Sequence, residues 1–208
     1  VHEVMVTDRI NQVESWVDLE IHHHADTSKP RSQYLSLLAQ SVQEDPSDDR
    51  NAFYYARELF FYGMFDAALE EFKRHLSLPK ATWKPERAAS MRYIAKLSSG
   101  LAKELWFKKA VEEAPDRREA RVELAQYYYE QQQWEECLQQ AEMALAVTEK
   151  PLEYLCEEFA WGSAPYDYAA ISSYNLKDKA KALEYGAKAA ELSPTDERLQ
   201  RNLIFYKS

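Results

Sequence analysis

The side chains with the widest chemical repertoire crowd the beginning of the chain. His2 stands beside Glu3, and His22, His23 and His24 run together. A neutral imidazole can complete an oxygen-rich site for a divalent cation. On a strand, alternate side chains point to opposite faces, so three adjacent histidines cannot all reach one ion. A second candidate is the stretch KPLEYLCEEFAWGSAPYDY, with Trp161, Tyr166 and Asp167 near a Gly-Ser-Ala-Pro turn. Aromatic faces with carboxylates suit sugars, and long irregular insertions often carry function. The plainer reading, adopted here, is that Trp161 and Phe159 plug the core between helical units. In WKPERAASMRY, Glu86, Arg87 and Arg92 are expected to form an ion-pair network at a helix start. Arg87 and Arg92 are the binding candidates there, although structural pairing is the commoner fate of such residues. No nucleophilic triad, Gly-x-x-x-x-Gly-Lys loop or His-Glu-x-x-His pattern is present.

These residues sit in a chain whose bulk properties narrow the choices. Its 208 residues can bury a real core, and 46% hydrophobic with 29% charged residues is a globular composition. Only four glycines occur, which argues against many tight β-turns, whereas Ala, Leu, Glu, Lys and Gln favour helices. A net charge of −9 makes nucleic acid a poor partner. No run of eighteen apolar residues exists, so no membrane span is expected. Cys137 and Cys156 have neither zinc-site nor disulfide-framework spacing, and a reducing, cytoplasmic setting is expected. The chain opens on Val1 with no signal peptide, and the expectation is a piece of a longer protein.

The positioning elements repeat. Gly63, Phe65, Ala68, Phe72 and Pro79 form one set; Lys103, Phe107, Ala110 and Pro115 the next. Trp134, Cys137, Ala141 and Ala144 form a third, and Ala182, Gly186, Ala189 and Pro194 a fourth. Positions 68, 103 and 137 lie 35 and 34 residues apart; the step to 182 is 45, an insertion of about eleven. The pattern resembles the tetratricopeptide (TPR) family, whose period is 34. The fold class expected is mainly α: a TPR-like solenoid of antiparallel helix pairs, about four repeats, with a short N-terminal β/coil segment. Small residues such as Ala56, Ala68, Ala125 and Cys137 let paired helices approach. Tyr54, Phe61, Phe72, Trp106, Phe107, Tyr128 and Trp134 are the rings expected to fill the gaps. Each buried ring contributes roughly 1.5–3 kcal/mol. Gly100 is two residues out of phase, so KLSSGLAKEL should hold a shortened or altered turn. Asp48 or Asp49 should cap a helix.

Residues 1–30 read differently. VHEVMV is apolar and β-branched, and WVDLEIH alternates as a half-buried strand does. Two short strands need a sheet, so a preceding domain is expected, with the helical repeat domain over 31–208. A helix from about Arg31 to Gln43 should carry Tyr34, Leu35, Leu38 and Val42 as its apolar stripe.

VHEVMV, then IHHHAD, then SQYLSLLAQSVQEDPSDDRNAFYYAREL, with ATWKPERAASMRYIAK and CEEFAWGSAPYDYAA later, resembles the C-terminal region of bacterial and phage family-two glycosyltransferases carrying TPR-like tails. The resemblance implies a parent that transfers a sugar from a nucleotide-sugar donor to an acceptor, with a divalent cation (Mn or Mg). It matches His2, with Glu3 beside it, and His23 to histidines near that cation. The Asp-x-Asp metal motif and the nucleotide-binding half are not in this chain, so it should be inactive alone, with no cofactor and no tight metal binding of its own. Expected partners are the preceding catalytic domain, a protein or glycan acceptor, and a second copy of the chain. The rival reading is a stand-alone TPR protein-interaction module without enzymatic activity.

Overall fold

A computed structural model of the chain describes residues 32–207. His2, Glu3, His23, the two expected strands and the boundary at residue 30 lie outside them. Among the described residues every regular element is helical: α1 (Ser32–Glu44), α2 (Asp49–Phe61), α3 (Phe65–Ser77), α4 (Lys84–Lys96), α5 (Gly100–Glu113), α6 (Glu119–Glu130), α7 (Trp134–Leu145), the single turn α8 (Glu158–Trp161), α9 (Ala164–Asn175), α10 (Lys179–Leu192) and α11 (Glu197–Lys207).

The helices pack as four antiparallel pairs, α2 with α3, α4 with α5, α6 with α7 and α9 with α10, with α1 and α11 covering the ends. The expected prolines close the second helices: Pro79, Pro115 and Pro194 each follow a helix end by two residues, where their missing N–H breaks no ladder. Asp48 caps α2 by accepting the Asn51 N–H at 2.8 Å. Within pairs the turns occupy 62–64, 97–99, 131–133 and 176–178. Three place a left-handed residue at the centre, Gly63 (φ 74°), Gln132 (φ 57°) and Lys177 (φ 68°). In the second pair the left-handed residue is Gly100 (φ 54°), which opens α5 itself. The turn is therefore altered as expected, and not shortened.

Small side chains stand where the helices touch. Ala56, Ala68, Ala125, Cys137 and Ala182 are all fully buried. Phe53, Phe72, Ile94 and Leu124 are the largest apolar side chains sealed inside, and Phe72 stacks on Tyr93 with ring centroids 4.8 Å apart. Two expectations for the core fail. Phe61 is 54% exposed, because at the last residue of α2 it lies on the edge of Phe60 and Tyr93 rather than between helices. Tyr34 is also exposed; α1 packs on one side only and buries Leu38.

The last pair is closed by α11, whose Tyr206 ring lies against Gly186. A Cβ added at Gly186 would stand 2.6 Å from one ring carbon of Tyr206 and 2.8 Å from another. Gly186→Val should therefore destabilise the protein by about 1–3 kcal/mol, the usual cost of overpacking. Urea unfolding measures this, and the loss should shrink in a Tyr206→Ala background, where the obstructing ring is gone.

Candidate functional site

The first helices of the pairs, α2, α4 and α6, line one face of the solenoid, and the insertion crosses it. Residues 146–163 leave α7, lie over that face as a strap, and reach α9 through the turn α8. Leu155 is the apolar anchor of the strap; it is buried in the cluster of Phe53, Ala56, Leu59, Ala89 and Ile94. Beside it, Tyr154 stacks on Tyr54 (6.0 Å between centroids), contacts the Trp83 ring and donates its hydroxyl to Glu86. Arg117 pairs with Glu153. At the other end, Glu119 accepts both the Glu157 N–H (3.0 Å) and the Trp161 indole N–H (3.1 Å).

Covering this face explains an otherwise costly observation. Glu86, Arg92, Glu119, Arg121 and Glu123, on helices whose partners leave one side open, are buried, as are Arg117 and Arg118 just ahead of α6. Buried charges are tolerated only when paired and hydrogen-bonded. Arg92 meets that condition fully. Its Nε and Nη2 donate to the two oxygens of Glu123 at 2.6 and 2.7 Å, and its Nη1 donates to Glu157 of the strap at 2.7 Å. Lys96 adds a fourth contact, 2.7 Å from Glu123. Burial alone would raise the Glu123 carboxyl; Arg92 and Lys96 outweigh it and hold the group below its usual range.

The expected network of Glu86, Arg87 and Arg92 does not form, since consecutive helical positions face different ways. Glu86 meets Tyr154, Arg92 meets Glu123 and Glu157, and Arg87 ties α4 to α5 and to the end of α3. Arg87 donates Nε to Glu113 at 2.7 Å and Nη1 to the carbonyls of Leu76 and Ala81. Trp161, Tyr166 and Asp167 are not brought to one site either. Trp161 packs against Val122, Ala144 and Ala160 under the Arg118 guanidinium, 4.1 Å from its ring centre, as a core plug. Tyr166 faces Ala189, Ala190 and Leu199. Asp167 turns towards α11 and pairs with Arg198 at 2.8 Å; burial still raises its carboxyl. Phe159, expected as a second plug, is 37% exposed and lines a cavity.

That cavity, about 360 Å³, lies between α4, α5, α6 and the strap. Lys96, Lys103, Glu123 and Glu130 supply charge of both signs, and Phe107, Tyr127 and Phe159 supply apolar surface. Lys103 occupies the position that Ala68, Cys137 and Ala182 hold in the other pairs, and its ammonium reaches over the Tyr127 ring (5.9 Å) towards Glu130. The sequence showed the odd residue at 103 but not that a cavity accompanies it.

Among the described residues, one group of three could hold a metal: Asp49, His75 and Glu86, at the joint of α2, α3 and α4. None of the three stood out as a ligand in the sequence, although His75 stands where the other pairs have Ala110, Ala144 and Ala189. Burial pushes the Cys137 thiol up to about 11 and raises Cys156 as well.

No protein-family model and no curated protein matches the chain. Solved structures do. The chain is similar to the C-terminal part of a TPR repeat-containing protein from Cytophaga hutchinsonii, with a TM-score of 0.63 at 14% identity over 84% of this chain and 64% of that one. It is similar to pilF of Pseudomonas aeruginosa (TM-score 0.60, 14% identity, 80% of this chain and 70% of that one). It also resembles MamA (TM-score 0.59, 12% identity, 79% and 89%). The fold is a TPR-type solenoid. Within that TPR fold, the strap across the first-helix face is the feature that the repeat pattern does not account for. No helix among the described residues is long and apolar enough to cross a membrane.

Removing the Arg92 guanidinium leaves Glu123 buried with Lys96 alone. Arg92→Met should destabilise the protein by about 3–5 kcal/mol in urea unfolding. The double variant Arg92→Met/Glu123→Met should recover most of that loss, since no buried carboxylate is then left stranded.

Proposed function

We propose that this chain is a scaffold that holds a short segment of a partner protein in the cavity beside the strap. The observation that carries the reading is the cavity itself. It combines apolar surface from Phe107, Tyr127 and Phe159 with fixed charges of both signs, on a face made of rigid helices. Helical solenoids bind partners along such extended faces. The strap fills the neighbouring stretch with Tyr154 and Leu155, so the segment taken here is short: an anchor side chain flanked by charges.

The finer reading is that the scaffold belongs to a family-two glycosyltransferase transferring a sugar from a nucleotide-sugar donor. Its support is the linked order of VHEVMV, IHHHAD, SQYLSLLAQSVQEDPSDDRNAFYYAREL and the two later stretches. Under that reading His2, Glu3 and His23 face the catalytic domain and its cation, while Arg87, Arg92 and Asp167 serve the scaffold through their internal ion pairs. The segment held in the cavity then comes from the catalytic domain or from a protein acceptor. The purified chain should give neither sugar transfer nor hydrolysis of a radiolabelled nucleotide sugar; turnover would overturn the accessory role.

The binding reading is tested by selecting short displayed peptides on the chain and measuring their affinity by fluorescence polarisation. Lys103→Glu should weaken selected peptides at least tenfold, and Lys188→Glu, outside the cavity, should leave them unchanged. Peptides indifferent to Lys103→Glu would remove the cavity from the proposal.

A further inference from the structure

The position held by Ala110, Ala144 and Ala189 in the other pairs carries His75 in the first, an imidazole with no exposed surface. A small residue satisfies helix packing there in the other pairs; here the ring lies against Phe53, with centroids 5.6 Å apart, but that contact uses neither ring nitrogen. One ring nitrogen is engaged: Ser90 Oγ lies 2.8 Å from Nδ1. The other, Nε2, is buried with no hydrogen-bond partner. An orphaned buried ring nitrogen is costly unless something occupies it.

What lies beside the ring is chemically suited to do so. A ligand atom each from Asp49, His75 and Glu86 lie within 4.8 Å of one another. Tyr154 takes Glu86 Oε1, leaving Oε2 to another partner. Asp49 makes no side-chain hydrogen bond or ion pair among the described residues, and its charge opposes that of Glu86. Arg50 and Arg57 offset part of that repulsion, but both guanidinium groups lie over the Tyr54 ring, at 5.9 and 5.1 Å. The joint thus brings two carboxylates and an imidazole nitrogen without a hydrogen-bond partner close together.

We propose, against the sequence-based expectation of no tight metal binding by this chain, that Asp49, His75 and Glu86 bind one divalent transition-metal ion of the zinc type, completed by water, at the joint of the first and second helix pairs. One imidazole nitrogen with two carboxylate oxygens is a donor set zinc accepts, with a solvent molecule in the fourth position. Bonds of 2.0–2.1 Å in a tetrahedron put ligand atoms roughly 3.3 Å apart. The ligand atoms lie within 4.8 Å of one another, so binding draws them inward, and Asp49, half-buried at the start of α2, has no side-chain hydrogen bond or ion pair among the described residues to hold it back. Ser90 supplies the outer partner that fixes a metal-bound imidazole, by accepting Nδ1–H and leaving the Nε2 lone pair for the ion. Burial, with Arg87 and Arg74 nearby, lowers His75 to about 4. The ion joins α2, α3 and α4, and through Glu86 and Tyr154 it steadies the strap.

The test is calorimetric titration of the full, chelator-stripped chain with zinc chloride. It is done in a background where His2, His22, His23 and His24 are alanine, so that those side chains cannot contribute. The expected result is one ion per chain at micromolar affinity or tighter, and a thermal midpoint that rises with zinc. Asp49→Asn should weaken binding at least tenfold. His75→Ala, which installs the residue the other pairs already use, should abolish the thermal shift while keeping the helical circular dichroism. If His75→Ala does not fold, Asp49→Asn decides alone. Absence of zinc binding in the background chain, or equal binding by Asp49→Asn, overturns the proposal.

Discussion

Two antiparallel helices lie side by side only where the side chains between them are small, and that constraint organises this protein. Ala56 against Ala68, Ala125 against Cys137, and Ala170 against Ala182 supply the close contacts, all buried to within 1%. Once the pairs close at those points, the rings have a fixed amount of room, and Phe53, Phe72 and Phe107 fill it. The same constraint gives weight to each departure from small residues. Lys103 replaces one and stands beside a cavity; His75 replaces another and is left with an unpartnered nitrogen.

Stacking pairs leaves the first helices exposed on one face, and this chain covers part of that face with its own strap. The cover is held by both kinds of force. Leu155 and Tyr154 remove apolar surface from water, and Glu153 and Glu157 neutralise Arg117 and Arg92. A guanidinium bound bidentately on a buried carboxylate is among the stronger polar contacts available to a protein. Such contacts are also unforgiving, because either partner left alone is a stranded charge. The strap and the buried charges it meets, Glu86, Arg92, Arg117 and Glu119, therefore support one another.

Arg92 and Arg87 show how a surface-like sequence becomes an interior. In WKPERAASMRY they look like solvated charges at a helix start. The neighbouring pair, the end of α3 and the strap enclose them: Arg87 reaches Glu113 and the carbonyls of Leu76 and Ala81, and Arg92 reaches Glu123 and Glu157. Asp167 follows the same course with Arg198 of α11. A segment-by-segment reading lacks those partners, since they lie up to 65 residues away.

The residue order alone carried the helical class, about four pairs, the helix ends at Pro79, Pro115 and Pro194, a cap at Asp48 or Asp49 and a shortened or altered turn at Gly100. All of these depend on contacts within a few residues or on a spacing that repeats, and local chemistry writes them directly into the order of residues. Packing between pairs alone settles where the insertion goes, why charged residues on α4, on α6 and just ahead of α6 are buried, that Trp161 and Asp167 face different neighbours, and that Asp49, His75 and Glu86 meet. These depend on which surfaces of separate pairs come together. That is set by the angle and depth of helix packing, a property of the whole assembly that no short stretch of sequence contains.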